Sequence, residues 1–250
     1  MIQLGILGCG RVVINRYVDV FLNELNNVNV KIVCDVDKIK ANKVSKLLKS
    51  RVVYNENDLF SADEVDTILV CTESGKHFLQ AKAALESGKH VITEKPPALL
   101  PNQVIKLEKI AKKRNLMYAV IFQNRFNPAL KKLKETFEMG RFGKIILNTI
   151  RLRWCRYQEY YEDGWHGTWN MDGGVINQQA IHHIDALKWI CGDIQKVCAN
   201  TGNRLNKLEA EDTMTALLKF SSGAMGAIEA TTAARPEDFE ASISIIGEKG

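Results

Sequence analysis

Residues 2–13 read IQLGILGCGRVV, and the fold turns on this stretch. Residues 2–7 form a short apolar run of strand length, Gly8-Cys9-Gly10 interrupts it, and Val12 opens an amphipathic stretch that continues to Leu25. A strand that passes through Gly-x-Gly straight into a helix makes a dinucleotide-binding turn. Its first glycine permits the tight bend, its second lets a pyrophosphate approach the backbone, and the helix N-terminus offers free N–H groups and a partial positive charge. The third glycine of the full fingerprint is replaced by Val13, which predicts slightly wider packing of helix on strand. Residues 28–34 read as the next strand, and Asp35 closes it where an acidic side chain bonds the adenosine ribose hydroxyls. A carboxylate there repels a 2′-phosphate and no arginine follows immediately, so NAD is expected over NADP.

The alternation continues outward from this unit. Helix is expected at 39–48, strand at 67–71, helix at 77–86, strand at 90–93, helix at 102–113 and a last strand at 117–122. Such a rhythm predicts an α/β Rossmann domain, a doubly wound parallel sheet, over residues 1–122. After Asn127 the pattern changes: a helix to Met139, a long strand at 144–154, a loop rich in Trp, Tyr and Gly at 156–174, one helix at 175–191, and strands at 195–201, 213–220, 224–232 and 239–246. Residues 123–250 are therefore expected to form an α+β domain with a mostly antiparallel open sheet. Along 213–220, Met214, Ala216 and Leu218 fall on one side and Thr215, Leu217 and Lys219 on the other. Apolar groups on both sides of an open sheet backed by one helix layer predict a homodimer or homotetramer through the outer face.

A chain of 250 residues has room for two such domains, and 46% hydrophobic with 25% charged residues excludes a disordered or collagen-like chain. The net charge of +5 is spread over helix-face spacings such as Lys38, Lys40, Lys43, Lys46 and Lys49, so nucleic acid is not an expected partner. The six cysteines form no C-x-x-C pair and mostly lie in apolar runs, as reduced thiols do. The chain opens directly on a strand, without the cationic start and apolar stretch of a signal peptide, and no segment reaches membrane-spanning length. A cytoplasmic protein without membrane contact is the expectation. The sequence stops in a turn at residues 247–250, so a further C-terminal piece is expected beyond it. No cluster of histidines and carboxylates has metal-ligand spacing, and no metal is expected.

Glu94, Lys95 and Pro96 follow the strand at 90–93, at the carboxyl edge where open α/β sheets bind ligands, and Pro96 and Pro97 stiffen that turn. Together with Gly8 to Gly10, Asp35 and the segment 173–185, this triplet resembles the Gfo/Idh/MocA family of oxidoreductases, over essentially the whole chain. The resemblance implies that Lys95 and a histidine of the second domain, His182, flank the substrate carbon beside the nicotinamide. It implies a cofactor site drawn from Gly8, Gly10, Arg11, Val12, Asp35, Thr72, His77, Glu94, Lys95 and Gln123.

A helical wheel over 175–191 puts Ala180, Ile184, Leu187 and Cys191 on one stripe and Gln178, His182, Asp185 and Trp189 opposite. By spacing alone His182 is a surface histidine, and the resemblance is what supplies its role; His183 lies nearer the apolar stripe. Two departures stand out. Gln178 occupies the position, four before the histidine, where the family commonly has an acid; an amide cannot raise a histidine's basicity as a carboxylate does, which leaves Asp185 as the expected nearby charge. Asp172 precedes Gly173-Gly174 where a third glycine is usual.

The segment 151–169, with Arg156, Tyr157, Tyr160, Tyr161, Trp165, Gly167, Thr168 and Trp169, resembles the substrate loop of the family's UDP-N-acetylglucosaminuronate 3-dehydrogenases. Aromatic rings cover the apolar face of a pyranose and arginine binds carboxylate or phosphate bidentately. Arg125, Arg156, Tyr157, Trp165, Thr168, Gln178 and His182 are thus expected on the substrate, although the same Tyr and Trp residues would serve equally as domain core. The implied reaction is oxidation of a secondary hydroxyl, at C3 of a nucleotide-linked N-acetyl sugar acid, with hydride passing to NAD. A dehydrogenase of a free sugar or inositol is the alternative. A non-catalytic NAD-binding regulator is another, against which the presence of both Lys95 and His182 argues.

Overall fold

A computed structural model describes residues 1–250. The chain forms two compact units, Met1–Ile121 and Phe122–Gly250. The first contains β1 (Ile2–Leu7), α1 (Val18–Asn23), β2 (Val28–Cys34), α2 (Lys38–Leu48), β3 (Arg51–Val53), α3 (Glu56–Phe60), β4 (Thr67–Val70), α4 (His77–Glu86), β5 (His90–Thr93), α5 (Pro101–Arg114) and β6 (Tyr118–Val120). Its six strands lie in the order β3-β2-β1-β4-β5-β6, every pair parallel. This is the doubly wound order, with the reversal between β1 and β4.

Strand residues alternate between two cores. Leu7, Ile32, Ile68 and Val70 pack under Leu59, Phe60, Leu85 and Leu107 of α3, α4 and α5. Leu4, Ile6, Val33 and Leu69 pack on the other face under Val13, Val18, Ala41 and Val44. Local chemistry sets the element ends: Asp37 caps α2 by accepting from Ile39 and Lys40 N–H, and Asn115 takes the left-handed conformation (φ 56°) that ends α5. The short elements β3 and α3 have no counterpart in the sequence reading, because three and five residues are too few to display a period.

The second unit contains α6 (Pro128–Glu138), β7 (Ile145–Arg153), α7 (Ile181–Cys191), β8 (Ile194–Gly202), β9 (Thr213–Phe220), β10 (Met225–Thr231) and β11 (Glu240–Gly247). Its sheet runs β11-β7-β10-β9-β8; only β7 and β10 are parallel. Met214, Ala216, Leu218 and Phe220 of β9 are buried on one face with Ile150, Leu152, Leu187 and Ile190. The alternate residues Leu217 (68% exposed) and Met225 (63%) stand on the uncovered face. No helix is long and apolar enough to cross a membrane.

Two helices expected to be continuous begin differently. Val13–Tyr17 and Ile176–Ala180 are π turns, each following a glycine turn and each leading into a regular helix, α1 and α7. In a π turn the bond runs i→i+5, so each residue advances by a smaller angle than in an α-helix. A wheel laid over 175–191 at the α-helical angle therefore misplaces its own first turn. That wheel set His182 opposite the covered stripe, yet His182 and His183 are equally buried, at 9% exposure each.

Candidate active site

In the first unit four loops leave the carboxyl edge of the sheet beside the β1/β4 reversal: Gly8–Gly10 after β1, Asp35 after β2, Cys71–Ser74 after β4 and Glu94–Lys95 after β5. Gly8 has φ +94°, and a Cβ there would stand 2.6 Å from the Cys71 carbonyl oxygen, so only glycine fits. A Cβ on Gly10 would meet nothing within 4 Å, which leaves its backbone open to a ligand. Asp35 ties the glycine loop to β2: Oδ2 accepts the Cys9 N–H (2.7 Å) and Oδ1 the Asp37 N–H (2.8 Å). A carboxylate has about four acceptor positions, so both oxygens keep capacity for ribose hydroxyls. Burial pushes the Cys9 and Cys34 thiols up to about 12, with the Asp35 charge adding to it, so both stay neutral beneath the turn. These features fit a dinucleotide.

On the other side of the reversal, Glu94 is held at both oxygens. The Tyr17 hydroxyl donates to Oε1, and the Lys95 N–H donates to Oε2 at 3.1 Å. Burial, reinforced by the Glu94 charge, raises the Tyr17 pKa, so the phenol stays a donor. Lys95 is half-buried. His77 is only 1% exposed, its Nδ1 2.7 Å from the Pro96 carbonyl oxygen and its Nε2 3.0 Å from that of Thr72. Burial holds its pKa below the ordinary value. Enclosed in this way, His77 bridges the loops that follow β4 and β5 and has almost no surface left for direct contact with a ligand. The Thr72 hydroxyl donates to Gln80 Oε1, Arg11 is exposed at the start of the first helix, and Val12 is half-buried beside it.

In the second unit His182 occupies the first turn of α7. Its Nε2 lies 3.4 Å from the Gln123 side-chain nitrogen, and the Phe122 ring stands edge-on at 6.3 Å. Gln178 donates to Asp172 Oδ1 (2.6 Å), and Asp172 Oδ2 accepts the Gly167 N–H (2.7 Å). Asp185, the charge expected near His182, is bonded to Arg125 at 2.7 and 2.6 Å, and that bonding raises the Arg125 pKa. His183 packs edge-on against Trp154 at 6.0 Å, with burial lowering its pKa.

The aromatic loop divides. Arg156 donates to the Cys155 carbonyl (2.6 Å) and Asp238 (3.0 Å) and lies over the Trp154 ring. Tyr157 donates to the Pro236 carbonyl at 3.1 Å, under the Arg235 guanidinium. The Trp165 ring lies tilted on that of His166, centroids 3.7 Å apart, and the Thr168 hydroxyl donates to the Trp165 carbonyl at 2.8 Å. Tyr157 and Trp169 stay exposed; Trp165 is half-buried. Sequence reading passed over Tyr17 and the His166–Asp163 pair (2.6 Å), which no local pattern marks. Asp172 was visible only as an acid in a glycine's place.

Residues 2–122 match the oxidoreductase family domain with the NAD-binding Rossmann fold, and residues 130–250 match the GFO/IDH/MocA C-terminal domain. The WlbA dehydrogenase of Chromobacterium violaceum, solved with NADH and UDP-GlcNAcA, is 34% identical with a TM-score of 0.96, covering 99% of this chain and 72% of its own. The Bordetella pertussis WlbA dehydrogenase, in complex with the same two ligands, is 33% identical with a TM-score of 0.95, covering 99% and 74%. Myo-inositol 2-dehydrogenase of Thermotoga maritima is 26% identical over 256 residues, 99% of this chain and 73% of that enzyme. The chain spans 61% of the length of a 29% identical oxidoreductase from Synechocystis. With both units matched in order and a relative above 30% identity covered over most of its length, this chain belongs to the Gfo/Idh/MocA family of oxidoreductases, and its first unit is that family's NAD-binding Rossmann domain.

Proposed function

We propose that the protein oxidises a secondary hydroxyl, at C3 of a UDP-linked N-acetylhexosaminuronic acid, with NAD as hydride acceptor. The observation that carries this reading is the likeness to the WlbA dehydrogenase solved with NADH and UDP-GlcNAcA. His182 takes the hydroxyl proton as general base, and the Lys95 ammonium hydrogen-bonds the same oxygen and stabilises the developing alkoxide. NAD, when bound, accepts the hydride leaving that carbon. The exposed Tyr157 and Trp169 offer rings for a pyranose face. The T. maritima inositol dehydrogenase keeps a free polyol as the second reading. NADH formation with a panel of UDP-sugars and free polyols separates the two: turnover of UDP-GlcNAcA well above any free polyol is expected, and turnover of inositols alone would reverse the assignment.

The same proposal includes self-association. Leu217, Met225 and Ile246 lie on one uncovered sheet face, bordered by Arg151, Arg153, Glu229 and Glu240. An exposed apolar sheet face of this kind is a surface to be covered. Sedimentation velocity at micromolar concentration should give a dimer or tetramer, and Leu217→Asp should shift it toward monomer. A monomeric parent chain would contradict the proposal.

A further inference from the structure

The two carboxylates at the sheet edge are held in the same manner. Leu7 pairs with Cys34 on one side and Val70 on the other, and Val70 pairs with Thr93, so Cys34, Leu7, Val70 and Thr93 form one row across β2, β1, β4 and β5. Asp35 and Glu94 are each the first residue past that row. The doubly wound fold consists of two mononucleotide-binding halves, and β2 and β5 are the second strands of those halves. Each carboxylate gives one oxygen to a backbone N–H just ahead of it, Asp37 for Asp35 and Lys95 for Glu94. Each gives its other oxygen to the segment that begins at the glycine turn, to the Cys9 N–H and to the Tyr17 hydroxyl. Three strand spacings separate β2 from β5, roughly 14 Å, so the carboxylates stand at opposite ends of a dinucleotide laid across the reversal.

We infer that Tyr17 is a positioning residue, which aims Glu94 at the hydroxyls of the nicotinamide-side ribose as the Cys9 N–H aims Asp35 at those of the adenosine side. The inference rests on the NAD site described above. Without the phenol donor, Glu94 loses the bond that fixes Oε1 and can swing about its side-chain torsions. A hydrogen bond to a carboxylate is stronger than one between neutral groups and fixes the direction of the oxygen that accepts it. Removing Tyr17's hydroxyl leaves the ring, and so the packing against Phe21, in place.

The test compares two probes, NADH and ADP, on the intact chain. Tyr17→Phe should weaken NADH binding by about five- to twentyfold and leave ADP within twofold of the parent. Glu94→Gln should behave likewise, and the double variant should be no weaker than the worse single, because both remove one arrangement. Equal losses for ADP and NADH would make Tyr17 a structural support of the glycine turn and overturn the inference, as would unchanged NADH affinity or additive losses in the double variant. If Tyr17→Phe melts at a much lower temperature, Glu94→Gln decides alone by the same NADH-to-ADP comparison. A parent chain that binds neither probe would sink the NAD site itself, an outcome distinct from one that binds both without discrimination by Tyr17→Phe.

Discussion

His182→Ala and Lys95→Ala should each lower turnover by about 10²- to 10⁴-fold while NADH affinity stays near that of the parent, as measured by initial rates and by fluorescence titration. The magnitude follows from the role. A positioned base contributes a term of that size when the alcohol proton must leave as the hydride departs, and an ammonium beside the developing alkoxide contributes through charge. The control is internal to the helix. His183 is as buried as His182, but its ring packs edge-on against Trp154, whereas His182 Nε2 lies 3.4 Å from the Gln123 side-chain nitrogen. His183→Ala should therefore cost packing, roughly 1 to 3 kcal/mol of stability, and leave turnover within a few-fold at a temperature where the protein is folded. Activity lost with His183 and kept without His182 would require the catalytic face of α7 to be reassigned.

Asp35→Ala should reduce the preference for NAD over NADP by about ten- to a hundredfold, read as the ratio of the two dissociation constants. The ratio is the informative quantity, because Asp35 does two things. Its bond to the Cys9 N–H holds the glycine turn, and losing that anchor should weaken both dinucleotides together. On the proposed reading its charge faces the ribose, and losing it would remove acceptors for the 2′-hydroxyl as well as repulsion of a 2′-phosphate. The second effect alone separates the cofactors. An unchanged ratio, whatever happens to the two affinities, would mean that this carboxylate does not meet the adenosine ribose.

The resolution reached from sequence differs between the candidate residues of the first unit and those of the second, for a physical reason. The glycine turn, Asp35 and Glu94-Lys95 follow strands whose apolar runs are visible by themselves, and in a parallel sheet the end of every strand lies on one edge, so sequence position nearly dictates spatial position. The second unit offers no such rule. The 156–174 loop and α7 are ordered by contacts between distant residues, as where Arg125 reaches Asp185 sixty positions on. A wheel shows which residues share a face but not what covers each face, and Phe122 and Gln123 lie against His182 on the face opposite the apolar stripe.

By itself, the sequence determined the doubly wound first unit, the mostly antiparallel sheet of the second, the NAD-type glycine turn and the family, since each is written in local periods and short motifs. Tertiary structure alone decided what holds the carboxylates. Tyr17 meets Glu94 across 77 residues, and Asp172 takes the Gln178 amide while a backbone N–H holds its other oxygen. Side-chain hydrogen bonds of this kind act over about 3 Å and depend on which elements pack together, a property of the folded chain that no local pattern encodes.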